Sequence, residues 1–235
     1  MDTKTRHSLK QDSFAKATAS SMSWLSGHRS GVVRGVIFAV VVVVVAGLAL
    51  GFQIWSSTKA DAALGAAMDV YNAPLAQPGA PPMSGVYSTA SDRSKAANQQ
   101  FAAVAQQYAW LADGSKAHYF VGVTDEELNQ NGAAEKELKI AADSWDRNLA
   151  NLAKLALAGL YHQTARDSEA IDLYKALAAK PSDTVPAAMA KLDLADLYAG
   201  SGKTDLARKL WAEVKDDDKE GVAGSIAAQK LNAKQ

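Results

Sequence analysis

The sequence predicts an all-α protein: a single N-terminal transmembrane helix followed by an α-solenoid of stacked helix pairs. Three observations carry this. Residues 35–55 are 21 consecutive positions without a formal charge. From Leu128 onward the apolar residues recur at helical spacing with almost no strand signal. A set of small and aromatic residues then repeats every 36–37 positions.

The chain has 235 residues and a formal net charge of zero, but its ends differ. Residues 1–34 hold six basic and two acidic side chains, leaving 19 basic and 23 acidic in the remainder. No positive excess points to nucleic acid. The absence of cysteine excludes disulfides, thiolate metal ligands and cysteine nucleophiles within the chain, and is consistent with an oxidising compartment.

Residues 1–30 are expected to be a basic cytoplasmic leader. Phe14, Met22 and Leu25 fall near one helical face, with Trp24 beside it. That places the leader either on the membrane surface as an amphipathic helix or, given its Ser, Thr and Ala content, in a disordered tail. Residues 31–56 are expected to be a signal anchor. As a helix, the uncharged stretch is about 30 Å long, the hydrocarbon thickness of a bilayer. Its 13 Val, Ile, Leu and Phe residues favour insertion by about 4–8 kcal/mol. Val40 to Val45 would prefer strand in water, but a lone strand in lipid leaves backbone groups unpaired, so helix wins. The apolar run is too long for a cleaved signal peptide. Basic residues precede it and only Lys59 follows closely, so the C-terminal part is expected outside the cytoplasm. Trp55 stands where an interfacial anchor belongs, and Gly47 and Gly51 form a small-xxx-small pair able to admit a second helix.

Residues 57–235 form the exported domain. A first Ala-rich helix over 58–73 carries a Leu64-Gly65 pair. A Pro-rich insertion at about 73–92 follows, within a stretch holding four of the six prolines. That composition disfavours helix and central strand. Pro78 and Pro81 have the spacing of a polyproline ligand, yet a solvated excursion suits them better.

The repeat is clearest in its last two copies. Tyr161, Ala170 and Tyr174 recur 37 residues later as Tyr198, Ala207 and Trp211, and Leu157-Ala158 recurs as Leu194-Ala195. An earlier copy runs Val121-Gly122, then Ala134 and Leu138, and a half copy holds Ala97 and Phe101. This pattern resembles the tetratricopeptide repeat, in which small residues let the two helices of a pair touch and large ones fill the layer between pairs. No single pair buries its apolar face alone, so the units stack. Asp125 stands where the pattern expects tyrosine, and the period exceeds the usual one. Pro186 is expected in the first turn of the third repeat's opening helix. The charged turn over 215–221 leads to a short capping helix.

The stretch Gly200-Ser201-Gly202-Lys203-Thr204 looks like the end of a phosphate-binding loop. The required earlier glycine is Leu197 instead, and helical spacing rather than a strand precedes it. Aligned with 125–134 and 161–170, it occupies a turn between helices, with Gly202 making the turn and Thr204 capping the next helix. No nucleotide or other cofactor is expected. His118 and His162 have no metal spacing. Glu126, Glu127, Glu135 and Glu137 read as solvated helix faces, and no constellation meets the demands of an active site, so no enzyme is expected.

A basic leader, one signal anchor and exported repeats are together similar to the ancillary SecYEG translocon subunit family. The stretches over 128–142, 154–174 and 224–231 carry the likeness. The resemblance implies a non-enzymatic module tethered in the bacterial inner membrane beside SecYEG, meeting exported proteins or periplasmic folding factors. A scaffold for cell division or envelope assembly is the alternative. Solenoids bind partners on a concave face lined by first helices. In this register Tyr119, Val123, Leu155, Gly159, His162, Leu192 and Asp196 face that groove.

Overall fold

The computed structural model describes residues 29–77 and 85–233. The expectations for the leader and for the Pro78–Pro81 spacing lie outside the described residues. Within them the backbone forms helices and no strand; Leu75 and Tyr87 make an isolated β-bridge across the insertion. The chain divides into two units, Met1–Trp55 and Ser56–Gln235.

The first helix, α1, runs Arg29–Tyr71 and belongs to both units. It is the one helix among the described residues long and apolar enough to cross a membrane. In the first unit its apolar side chains are exposed on every face, from Val42 at 48% to Phe38 at 72%. A helix apolar all round is suited to lipid, not water. Open space lies over both Gly47 and Gly51. Residues 58–71 are not a separate helix: nothing between Trp55 and Tyr71 is a proline or a capping turn, so the helix has no reason to stop.

In the second unit the end of α1 is followed by α2 (Ala90–Gln107), α3 (Ala112–Glu127), α4 (Asn131–Ala142) and α5 (Arg147–Gln163). Then come α6 (Asp167–Ala179), α7 (Ala187–Gly200), α8 (Thr204–Asp217) and α9 (Val222–Asn232). Successive helices pack on one another from α2 to α9, with extra contacts between α3 and α5 and between α7 and α9. First helices of consecutive pairs therefore touch at α3 and α5 and at α7 and α9, as in a solenoid. Thr89 caps α2 by accepting from Asp92 N–H (3.0 Å), and Asp146 caps α5 by accepting from Asn148 N–H (2.9 Å). Pro186 falls at the N-cap of α7, one position before the helix.

The small-residue register has its expected use. Ala134, Ala158, Ala170, Ala195 and Ala207 are all completely buried. Gly122 is the tightest of the set: a Cβ there would stand 2.6 Å from Leu138 Cγ. Leu138 must then move or leave its rotamer, so Gly122→Ala is expected to lower stability by about 1–3 kcal/mol in thermal melts, despite alanine's better helix propensity. The Leu64-Gly65 pair departs from this pattern. Leu64 is buried with Ala67, Phe101 and Val121, but Gly65 is exposed with open space around it. Asp125, the missing tyrosine, is buried and accepts from Asn98 Nδ2 (2.7 Å). Thus α2 supplies a polar partner where the later repeats have an aromatic ring.

The turns inside the pairs share one geometry. Asn129, Ala165 and Gly202 have φ of 59°, 60° and 73°. In each case the following N–H reaches back five residues, to Asp125 O (2.8 Å), Tyr161 O (2.7 Å) and Tyr198 O (2.8 Å). These are Schellman closures, which require a left-handed residue. Thr204 does not cap α8. It is the first helical residue, and Lys203 occupies the cap position without a side-chain bond.

Candidate functional site

The seven groove positions lie on the first helices of three consecutive pairs. Tyr119 and Val123 are on α3, Leu155, Gly159 and His162 on α5, and Leu192 and Asp196 on α7. Spacings of three and four keep each set on one helical face. The set divides by burial. Tyr119, Leu155 and Leu192 are half-buried against the main core, and Leu155 also packs on the Leu177–Val185 cluster. His162 and Asp196 are exposed and already paired: His162 Nδ1 lies 2.7 Å from Asp167 Oδ1, and Lys230 Nζ donates to Asp196 Oδ2 (2.8 Å). Exposed pairs of this kind are screened by water and weak, so a ligand can displace them at little cost. Gly159 is different from both groups. A Cβ built there meets nothing within 4 Å, so open space lies over it.

Polar bridges join successive first helices across this surface. Gln163 Nε2 on α5 donates to Glu126 Oε1 on α3 (2.6 Å), and the Lys230–Asp196 pair joins α9 to α7. Burial, and then the neighbouring Glu126, push the Tyr119 phenol up. Burial, and then Asp196, likewise raise the carboxyl of Asp193. Asp193 is a residue that helical spacing alone did not single out. Beside it the Tyr174 phenol is pushed up to about 12, chiefly by burial and then by Asp193.

A second cluster holds the middle pairs together. Arg166 donates twice to Glu135, from Nη1 to Oε2 (2.8 Å) and from Nη2 to Oε1 (3.1 Å), and its guanidinium lies 3.9 Å from the Tyr161 ring centroid. Tyr161 Oη and Lys139 Nζ also donate to Glu135 Oε1. One repeat later Lys203 sits over the Tyr198 ring at 5.7 Å, the same contact in weaker form. The Arg166 bonds, followed by that of Lys139, hold the Glu135 carboxyl down at about 2 from an ordinary 4.5. A depressed carboxylate stabilises the fold above its unfolded pKa, and that contribution is lost as pH falls toward the folded value. Glu135→Gln is therefore expected to destabilise near neutrality and to converge with the wild type as pH falls from about 4.5 to about 2. Denaturant titrations at several pH values check this.

The GSGKT stretch is the turn between α7 and α8, entered by a helix, with Gly202 in the left-handed position. Among the described residues no three His, Asp or Glu side chains form a metal-binding cluster. A cavity of about 440 Å³ lies among α6, α7 and α8, lined by Lys175, Leu194, Tyr198, Leu206 and Glu213. A larger one of about 750 Å³ is lined by Arg147, Asn151, Leu177 and Pro181. Neither includes a groove position. Trp110 and Trp145, 63% and 84% exposed, stand 35 residues apart in equivalent turns. Their spacing is close to the repeat period, a signal present in the sequence.

Helix pairs of constant register, small residues at each crossing and a surface of first helices define an α-helical repeat protein. Residues 34–234 match the family model described as tetratricopeptide repeat-like domain, and the chain belongs to that family. The match takes in most of the apolar segment as well as the repeats. Such domains are protein–protein interaction modules, typically without catalytic residues. No curated protein and no solved structure matches the chain.

Proposed function

We propose that the protein is a non-enzymatic interaction module held in the bacterial inner membrane by residues 31–56. Residues 1–30 face the cytoplasm, and the repeat domain over 57–235, with its insertion at 73–92, faces the periplasm. There it serves as an ancillary subunit of the SecYEG translocon, receiving exported proteins or periplasmic folding factors on the groove formed by Tyr119, Val123, Leu155, Gly159, His162, Leu192 and Asp196. Gly47 and Gly51 admit a translocon helix. The basic residues before the span support the orientation. One observation supports the binding role: among the described residues nothing lies within 4 Å of a Cβ built at Gly159, on a face where neighbouring polar groups are paired only at the surface.

Gly159 also supplies a clean test. Charge substitutions at Leu155 or Leu192 would disturb the core they pack against. Gly159→Arg places its Cβ in open space and gains about 0.8 kcal/mol of helix propensity, so the fold is expected to be retained. With a photo-crosslinking amino acid at His162, the wild-type background is expected to give adducts with translocon subunits or exported chains. Gly159→Arg is expected to weaken them about tenfold or more, which is about 1.4 kcal/mol. Adducts with division proteins instead would move the function to a division scaffold. Unchanged adducts in the variant would remove the groove from this face, and a silent C-terminal periplasmic reporter would reverse the orientation.

A further inference from the structure

The repeat unit has two ends, defined by its turns. The turns within pairs, at 128–130, 164–166 and 201–203, lie at one end; the turns between pairs, at 108–111, 143–146, 180–186 and 218–221, lie at the other. The last turns of α1 fix which end is which. Tyr71 Oη donates to Glu127 Oε1 (2.7 Å), and the Tyr71 ring lies 6.2 Å from Phe120, so the ends of α1 and α3 are level. Ser94 bonds Glu127 as well, and Asn98 bonds Asp125, so α2 runs antiparallel to both. Fifteen residues back from Tyr71, about 22 Å along a helix, is Ser56, and fifteen back from Glu127 is Ala112. The turn over 108–111 is therefore level with Ser56, the first residue after the apolar segment.

The most exposed large apolar side chains of this unit are Trp145 at 84%, Val222 at 78% and Trp110 at 63%; the others do not exceed 46%. All three belong to turns between pairs or begin the helix after one, on the side of Ser56. Trp110 has Tyr108 beside it, with ring centroids 6.4 Å apart. Tryptophan and tyrosine at a bilayer edge sit at headgroup level, where an apolar ring with a polar N–H or O–H finds both of its solvents. The two nearest turns carry the aromatic residues. The farthest carries Asp218, Lys219 and Glu220, which favour water.

We infer that Trp110 and Trp145 dock this end of the repeat unit on the lipid surface. The partner is the lipid interface, and the inference rests on the reading that residues 31–56 cross a bilayer. It holds for either orientation of the chain.

The cysteine-free sequence permits single-site spin labelling of the full chain in zwitterionic nanodiscs. Labels would be placed at the exposed positions Ala109→Cys and Asp143→Cys, with Gln130→Cys at the opposite end as the aqueous control. Co-elution with nanodiscs tests the span; label accessibility tests the docking. Labels at 109 and 143 are expected to show the high oxygen and low aqueous-chelate accessibility of the headgroup region, while 130 reads as water. Trp110→Ser with Trp145→Ser is expected to abolish that difference while the chain still co-elutes and keeps its helical circular dichroism. Water-like readings at 109 and 143 in a co-eluting chain overturn the inference. So does immersion that survives the double substitution, or label immobilisation that arises only when another protein is added.

Discussion

Replacing Trp211 with alanine is expected to destabilise the repeat unit by about 3–5 kcal/mol, a large fraction of the 5–15 kcal/mol that holds a typical domain together. Trp211 is 3% exposed, within the core cluster that also holds Tyr174, Tyr198 and Ala207. Burying an indole removes roughly 200 Å² from water, about 5 kcal/mol by area, and truncation to alanine leaves a cavity in the core. Because solenoid repeats are stabilised by nearest neighbours, the loss is expected to fall on α7, α8 and α9, which would melt ahead of α2 to α5. The indole Nε1 is buried without a hydrogen-bond partner. Trp211→Phe discards that unpaired donor together with some ring volume, so it is expected to cost less than about 1.5 kcal/mol. Equal losses in the two variants would mean that the ring's bulk is not what Trp211 supplies.

The same residue shows what was legible in the sequence. Ala134–Leu138, Ala170–Tyr174 and Ala207–Trp211 keep residue size in register, and size is what a helix crossing selects, so the repeat could be read from spacing. Backbone conformation left a fainter trace. Asn129, Ala165 and Gly202 perform one left-handed closure with three different side chains; only the glycine betrays it, and there it invited comparison with a phosphate loop. Thr204 was expected as a cap for a related reason. The Schellman bonds satisfy the carbonyls of the preceding helix and move the next helix start back by one residue, so the hydroxyl falls inside the helix.

The proposed groove rests on register and not on chemistry. Register puts Leu155 and Leu192 on first helices, but a partner-facing leucine and a core leucine have the same spacing, and both pack against the core. Gly159 carried the opposite ambiguity. Its sequence neighbour Ala158 is the close-approach residue, while Gly159 faces open space. Burial, which depends on the next repeat, separates the two. Leu64 and Gly65 illustrate the limit: with an insertion between α1 and α2, the register of later repeats no longer transfers.

Arginine at both Val41 and Val44 is expected to remove the chain from the membrane. Each substitution exchanges a residue worth about −0.3 to −0.6 kcal/mol for one costing about 2.5–3.5 at the centre of a helix, a swing of roughly 3–4. Two such swings match the whole insertion free energy of about 4–8 kcal/mol supplied by the apolar residues of the segment. Both side chains are about half exposed on α1, with no core to accommodate or reject the change. The effect should therefore be read in partitioning and not in folding. The wild type is expected in the alkali-resistant membrane fraction and the double variant in the supernatant, while Val41→Leu with Val44→Leu stays in the membrane. Retention of the arginine variant through alkali would mean that another part of the chain holds it there, and the apolar helix would lose its role as anchor. Release accompanied by an unchanged thermal transition would show that the repeat unit, from Ser56 onward, owes its stability to Leu64, Ala67 and Phe101 and their neighbours and not to lipid.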